Sequence, residues 1–431
     1  MFKYLLLLSL LLLTTPAEAQ EKPLSLVDRV LSLLGHENLP RLKVQPEAQM
    51  PPPSALAPPR IPPRRAEVEL ARRFLPVYDL DRGGEGKPQV LPFFASGELE
   101  ERHSDILSII VMVPDSDREA ARAYAFARTA QDDASALHPE WYANNAFIFV
   151  PQFLTPEDIA RRAAQWPDGG ASLLRWAGGG WIYGADSVAD NAADLNARGM
   201  TAYAALDFAL LAIAKRELFP ELQRVVIVGA GGGGDFVQRY AALGVAPDIL
   251  SGDNISVRFV SANAWSYMYL DKTRAVPPEA GTLPEPGVEP VFAAPKEGSC
   301  ASYNLFPYGF AGMPNYGRRQ GENELRLRYV TRTVFYLSGA EATRPLPDAS
   351  PQACALILQG RSLAERARLY FSSLQKLYGD DLARTQRFYS LPKVGEPAQA
   401  IWQHPCGLAA LYGDGGCEAA GAVGNKLKTV E

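Results

Sequence analysis

The feature that most constrains the fold is a regular alternation of short apolar runs with helical patterns, from about residue 66 to the C-terminus. The runs are rich in Val, Ile and Phe and are bounded by turn residues, which is typical of buried strands. Strands separated by helices favour a mostly parallel sheet flanked by helices. The sequence therefore predicts one α/β domain over residues 66–431. Its predicted strands are Ile106–Val113, Ala146–Val150, Arg224–Gly229, Ile255–Ser261, Thr331–Leu337 and Arg387–Val394.

Three helices between these strands have specific signals. Thr155 is a typical N-cap, and it is followed by Pro156 at the first helical position and Asp158 in the first turn. Apolar residues three and four apart predict a second helix over 203–213. A third helix is predicted over 361–378, where a glycine follows the last periodic residue.

The first nineteen residues predict a secretory signal peptide. Lys3 precedes an apolar run over 4–13, and Ala17 and Ala19 place small residues at the −3 and −1 positions of a cleavage site. A membrane anchor is the alternative, but a helix needs about 20 apolar residues to cross the hydrocarbon core. We therefore expect cleavage after Ala19 and export of the mature chain to the periplasm or the medium.

Two segments are predicted to lie outside the core. Residues 20–65 comprise a short amphipathic helix over 23–35 and a proline-rich linker or arm, whose prolines favour extended conformation and cannot build a core. A plain spacer and a recognition segment share this composition, so both interpretations stay open. The segment 275–300, which is rich in Pro and Gly over residues 275–295, is predicted to form a surface excursion.

Charge and cysteine content exclude several classes of function. Lys and Arg number 43 against 48 Asp and Glu, and the net charge of −5 lacks the basic excess that nucleic-acid binding requires. No segment after the signal peptide approaches a membrane span. The four histidines and the cysteines show no metal-ligand spacing, so we expect no metal ion and no cofactor. In an exported protein the cysteines are expected to form disulfides.

A glycine-rich turn follows the third predicted strand and opens a helix. Gly229, Gly231 and Gly234 match the G-x-G-x-x-G spacing of dinucleotide sites, in which backbone amides approach a pyrophosphate. The acidic residue expected about 20 residues further on is missing, because the next strand ends at 261–263 in Ser-Ala-Asn. Asp235 would also place a negative charge beside the phosphates. A dinucleotide-binding oxidoreductase is therefore the least favoured alternative.

The same turn also compares with the nucleophile elbow of hydrolases. Residues 105–415 resemble a bacterial and fungal group of secreted α/β-hydrolase-like proteins, whose elbow has the motif G-x-S-x-G between a strand and a helix. The flanks match from Phe219 to Tyr240, but Gly231 stands at the position of the serine. The other matching blocks are Val150–Leu154, Trp176, Trp181, Gly184, Ser261–Asp271, Tyr303–Asn304 and Tyr308–Gly309. This resemblance implies an α/β-hydrolase-like fold.

The resemblance further implies a degenerate catalytic triad. Gly231 has no side chain to act as a nucleophile. Ala342 stands at the position of the acid, and the adjacent Glu341 is an alternative carboxylate offset by one residue. Glu396 stands at the position of the histidine base, and a glutamate does not replace an imidazole in that role. His404 lies eight residues further on, where a surface residue is the alternative interpretation.

The loop after the first predicted strand is altered as well. The family normally has His-Gly there, with an amide that helps to bind the oxyanion, whereas this chain has Pro114, which carries no N–H. The sequence thus predicts an exported, catalytically degenerate protein that binds a small molecule, polymer or protein through the old active-site cleft. Gly231, Gly232, Pro114 and Glu396 are expected to line this pocket, with room at the elbow and a free row of amides for a polar ligand. An active hydrolase or lyase that uses the carboxylates or the histidine just named is the main alternative.

The cysteines of the resembling family are paired at corresponding places. This implies disulfides Cys300–Cys354 and Cys406–Cys417, the second of which closes a short local loop. Four cysteines formally allow three pairings.

Overall fold

A computed structural model describes residues 70–78, 89–166, 168–188, 199–276, 289–344, 353–415, 417 and 423–424. All of these residues belong to one compact unit of the chain. The predicted signal peptide, the helix over 23–35, the proline-rich arm and the domain boundary at residue 66 lie outside the described residues.

The central element is a nine-stranded, mostly parallel sheet. In their order across the sheet, its strands are β1 (Arg73–Val77), β2 (Gln89–Ala95), β4 (Ala146–Pro151), β3 (Ser108–Val113), β5 (Arg224–Ala230), β6 (Ser256–Ala262), β9 (Thr333–Gly339), β10 (Gln386–Leu391) and β11 (Val423–Gly424). The pairings from β4 through β3, β5, β6 and β9 to β10 are parallel, whereas β2 runs antiparallel to both β1 and β4, and β11 runs antiparallel to β10. A separate two-stranded sheet consists of β7 (Arg274–Ala275) and β8 (Phe292–Ala293).

Helices connect the strands and cover the sheet. In chain order they are α1 (Ala120–Leu137), α2 (Pro156–Ala160), α3 (Ala202–Ile213), α4 (Gly232–Leu243), α5 (Ala246–Gly252), α6 (Asn315–Arg318), α7 (Glu322–Thr331), α8 (Ala353–Ile357), α9 (Leu363–Tyr378), α10 (Ala398–Gln403) and α11 (Pro405–Leu411). No helix among the described residues is long and apolar enough to cross a membrane.

Alternate residues of the central strands enter two separate cores, because successive side chains of a strand point to opposite faces. In β3, Ile109 and Val111 join the core that contains α3, α4 and α9. Ile110 and Met112 join the core that contains α1, α10 and α11. The sheet is therefore buried on both faces, which explains why its central strands are apolar throughout.

The structure confirms the predicted strands, with ends within three residues of the predicted ones. It also confirms the helix after Thr155, whose Oγ1 accepts a hydrogen bond from the Asp158 N–H at 3.2 Å while the carboxylate of Asp158 accepts one from the Thr155 N–H at 3.0 Å. Strands β1 and β2 were not predicted, because Pro76 and Pro92 interrupt their apolar runs.

Cysteine pairing and the 275–300 segment are the remaining fold predictions. Cys300 and Cys354 lie at disulfide distance, with Cα atoms 5.8 Å apart, as do Cys406 and Cys417, with Cα atoms 4.9 Å apart, in the predicted pairing. The ends of the 275–300 segment pair as β7 and β8. Its residues 277–288 lie outside the described part of the chain.

Candidate active site

The glycine-rich turn is a sharp elbow between β5, at the centre of the sheet, and α4. At its apex Gly231 has φ 58° and ψ −122°, a conformation that a glycine adopts without strain and other residues rarely adopt. The strained strand-to-helix turn that carries the nucleophile of α/β-hydrolases lies at this point of the fold. Gly231 therefore lies at the apex of this turn and carries no side chain there.

The neighbouring glycines are explained by close backbone packing. A Cβ on Gly233 would lie 2.5 Å from the carbonyl oxygen of Val113 at the end of β3. A Cβ on Gly234 would lie 2.6 Å from the carbonyl oxygen of Ala262 at the end of β6. Because any side chain here would push the elbow away from its two flanking strands, the glycines serve the fold and do not require a bound phosphate.

Asp235 lies one turn into α4, fully buried and away from the elbow surface. Its carboxylate accepts hydrogen bonds from the N–H of Ser266 at 3.0 Å, from the hydroxyl of Ser266 at 2.7 Å and from the hydroxyl of Tyr183 at 3.3 Å. Arg239 lies 3.7 Å from it. Burial raises the pKa of Asp235, with partial compensation from Arg239 and Ser266. These contacts give Asp235 a structural role inside α4 and its neighbours.

Asp115, in the loop after β3, lies against the elbow. Its Oδ1 accepts hydrogen bonds from the N–H of Gly232 at 2.7 Å and from the N–H of Ser116 at 2.6 Å. A Cβ on Gly231 would lie only 2.6 Å from Oδ1 and 2.7 Å from Oδ2. The expected room at the elbow is thus filled, and the expectation of a free amide at Gly232 is wrong.

The N–H groups of Gly232 and Ser116 donate to the same oxygen of Asp115, although Pro114 lies in the loop after β3. In α/β-hydrolases the amide after the nucleophile and an amide of the loop after the third strand bind the oxyanion. Here the matching groups belong to Gly232 and to Ser116, two residues beyond Pro114. The buried Pro114 lacks an N–H, but its presence does not remove the donor pair.

Arg118 holds the loop that carries Asp115. Its backbone has φ 64°, an unusual value for a residue with a side chain. Its guanidinium forms two hydrogen bonds with Asp158, at 2.8 and 3.1 Å, and donates a third to the carbonyl oxygen of Ser116 at 3.4 Å. Burial alone would raise the pKa of Asp158, but the hydrogen bonds and charge of Arg118, together with Thr155, lower it below its usual value.

The loops after β6, β9 and β10 meet beside the elbow through Asn263. Its side-chain oxygen accepts a hydrogen bond from the N–H of Gly339 at 2.9 Å. Its side-chain nitrogen donates to the carbonyl oxygens of Gly395 and Glu396, at 2.8 and 3.2 Å. One amide therefore fixes the two loops that the resemblance associates with the catalytic acid and base.

Ala342, which the resemblance places at the position of the acid, is fully buried. Glu341 is exposed, and its N–H donates to the carbonyl oxygen of Val394 in the neighbouring loop. At the base position, Glu396 forms an ion pair with Arg344, which lies two residues beyond Ala342. The structure therefore joins the loops after β9 and β10 by an ion pair between Arg344 and Glu396.

His404 has a structural role. Its Nδ1 accepts a hydrogen bond from the N–H of Cys406 at 3.2 Å, which caps the N-terminus of α11. Burial lowers the pKa of His404, which favours the neutral imidazole that this acceptor role requires. The side chain is half-buried, so the interpretation as a plain surface residue describes it incompletely.

A small cavity of about 30 Å³ adjoins Asp115 on the α1 side of the sheet. Asp117, Arg122 and Trp402 are among its other lining residues. Sequence reasoning missed Asp115, Ser116 and Arg118. The available signal was their position, since polar residues directly after a central strand lie at the edge of the sheet where ligands bind.

The sheet, the helices on both its faces and the elbow after β5 define an α/β-hydrolase fold. No family model matches the chain, and no curated protein matches it significantly. Solved structures similar to this chain include a poly(3-hydroxybutyrate) depolymerase from Bordetella parapertussis, at 18% identity over 90% of this chain and 94% of that one, with a TM-score of 0.45. Another is poly(aspartic acid) hydrolase-1 from a Sphingomonas species, at 15% identity over 78% of this chain and 96% of that one, with a TM-score of 0.44.

Proposed function

We propose that this chain is an exported, catalytically degenerate α/β-hydrolase-fold protein that binds its ligand without turning it over. The observation that carries the proposal is Gly231 at the apex of the elbow, in the backbone conformation φ 58° and ψ −122°. Covalent hydrolysis on this fold begins with attack by a side-chain oxygen from that position. A glycine supplies no such oxygen.

The remaining triad positions support the same conclusion. Ala342 contributes a buried methyl group where a carboxylate would orient the base. Glu396, at the position of the base, forms an ion pair with Arg344. A glutamate held in this pair does not replace the imidazole that takes the proton of a nucleophile.

Export is supported by the N-terminal sequence and by the cysteines. The first nineteen residues predict a signal peptide that is cleaved after Ala19. All four cysteines lie in the two pairs at disulfide distance, and disulfides persist in oxidising compartments outside the cytosol.

The proposed binding surface is the edge of the sheet at which β3, β5, β9 and β10 end. The loops there carry Pro114 and Gly232, which are buried, and Glu396 and Arg344, whose ion pair supplies the charged groups of this surface. A small molecule, polymer or protein with polar groups fits this surface, and the ion pair between Glu396 and Arg344 can reorganise to bind a charge of either sign.

The test is steady-state hydrolysis of short-chain p-nitrophenyl esters by the purified mature protein. Glu396→Ala, His404→Ala and Asp115→Asn are assayed beside it, with Asp381→Ala as a matched control, because Asp381 is exposed and precedes β10 at the opposite end of that strand. We expect turnover at the buffer background for all five proteins. Turnover well above background that one of the three site variants abolishes and Asp381→Ala retains would contradict the proposal and show an active hydrolase.

A further inference from the structure

The oxyanion hole of this fold has an occupant supplied by the chain itself. The N–H groups of Gly232 and Ser116 converge on one carboxylate oxygen of Asp115, at 2.7 and 2.6 Å. Donors at such distances are placed to bind a negatively charged oxygen. The position at which a hydrolase would bind the oxygen of its substrate is therefore filled by a planar carboxylate.

The surroundings hold this carboxylate in place. Oδ2 lies 2.7 Å from the point where a side chain at residue 231 would begin, so only a glycine at the apex leaves room for it. On the other side the loop is anchored through Arg118, which donates to the carbonyl oxygen of Ser116 and forms a bidentate pair with Asp158. The loss of the nucleophile and the presence of Asp115 are thus two parts of one arrangement.

We propose that Asp115 is the resident ligand of this oxyanion hole. The hole is a built carboxylate site that Asp115 fills in cis, and it stays closed to external carbonyl and carboxylate groups while the side chain is present. This inference goes beyond the proposed binding function, because it concerns only the two amides and their occupant and holds whatever the protein binds at the outer surface.

The test replaces the side chain and supplies the missing group separately. Asp115→Ala removes the carboxylate, and formate has the matching three heavy atoms. We expect Asp115→Ala to unfold at a lower temperature than the wild type, and formate to raise its Tm saturably by about 1–2 °C at constant ionic strength. Wild type and Asp115→Asn keep an oxygen in the hole and should show no saturable response. Asp117→Ala, on the same loop but without a bond to Gly232, is the matched control and should behave like wild type.

Two formate results would overturn the proposal. One is an Asp115→Ala variant that folds and shows no saturable shift. The other is a wild type that shows the same shift as the variant, because its hole would then be open.

A second measurement decides if Asp115→Ala does not fold. Burial raises the pKa of Asp115, and the N–H groups of Ser116 and Gly232 and the charge of Arg122 offset this only in part, while Asp235 adds to it. The charged groups Asp117 and Glu119 line the adjacent cavity. Because the folded pKa lies above the unfolded one, the stability contributed by Asp115 is complete at low pH and is lost as pH rises through the folded pKa. The Tm of wild type minus that of Asp115→Asn should therefore fall as pH rises from below the ordinary pKa of an aspartate into the neutral range. A difference that stays flat over this range would overturn the proposal.

Discussion

The carboxylate of Asp115 occupies the space in which a side chain at Gly231 would begin, with its two oxygens 2.6 and 2.7 Å from an ideal Cβ on that glycine. The two residues are 116 positions apart, and β3 and β5, which precede them, are neighbours in the sheet. The glycine leaves room for the carboxylate of Asp115, and this carboxylate leaves no room for a side chain at residue 231. A side chain at residue 231 would therefore displace the carboxylate.

Gly231→Ser should destabilise the protein and should not produce a hydrolase. The positive φ costs a residue with a side chain about 1–3 kcal/mol, and contact with Asp115 adds to this cost. We expect the double variant Gly231→Ser with Asp115→Ala to recover part of the loss, with a coupling of about 0.5–3 kcal/mol. Urea unfolding of wild type, both single variants and the double variant measures this coupling. Additive losses would show that the two side chains do not meet.

Gly298→Ser separates backbone strain from contact with Asp115. Gly298 has φ 75°, but a Cβ there meets no atom within 4 Å. Its replacement should cost the backbone strain alone and show no coupling with Asp115→Ala.

The carboxylate of Asp115 fills the space in which a side chain at residue 231 would begin. Gly231→Ser combined with Ala342→Asp and Glu396→His should therefore stay inactive toward p-nitrophenyl esters while Asp115 is present.

Local patterns were sufficient to predict most of the fold. The apolar run 225–228 is buried on both faces of the sheet, so its composition alone predicts a strand. Thr155 caps its helix through contacts with a residue three positions away, which sequence spacing reveals directly. β1 and β2 could not be predicted in this way, because their prolines are tolerated through pairings that only the folded sheet defines.

The candidate site depended on contacts that sequence spacing does not encode. The hydrogen bond from Gly232 to Asp115 joins residues 117 positions apart. The comparison at the elbow located Gly231 correctly at the turn, but it took the absence of a side chain there as empty space. The prediction for Pro114 considered only its missing N–H. The N–H of Ser116, two residues further along the same loop, donates to Asp115.

Arg118→Ala should destabilise the protein by about 1–3 kcal/mol. The substitution leaves Asp158, whose side chain is only 3% exposed, without its bidentate partner. Because the folded pKa of Asp158 lies below its usual value, its stabilising contribution is present above the unfolded pKa and is lost as pH falls through the folded pKa. The stability gap between wild type and Arg118→Ala should therefore narrow in acid, which denaturant titrations at several pH values measure.

Arg122→Ala is the matched control for this prediction. Arg122, in α1, pairs with Asp117 of the loop that carries Arg118. The side chains of Arg122 and Asp117 are 47% and 37% exposed, more than those of Arg118 and Asp158. A pair of this kind contributes little to stability, at most about 1 kcal/mol. Equal losses for the two variants, or a gap for Arg118→Ala that does not change with pH, would show that the bond between Arg118 and Asp158 does not stabilise the loop.

The two disulfides should contribute unequally to stability. Cys300 and Cys354 are 54 residues apart, whereas Cys406 and Cys417 are 11 apart. In the chain-entropy account, closing the longer loop restricts the unfolded chain more, which corresponds to about 4 kcal/mol against about 3 kcal/mol. Replacing Cys300 and Cys354 together by serine should therefore lower the free energy of unfolding more than replacing Cys406 and Cys417 together. Non-reducing peptide mapping of the wild type establishes the pairing first, and urea unfolding of the two double variants then gives the order. A peptide that joins Cys300 to Cys406 or to Cys417, or four free thiols, would contradict the pairing, and a larger loss for the 406–417 variant would contradict the entropic order.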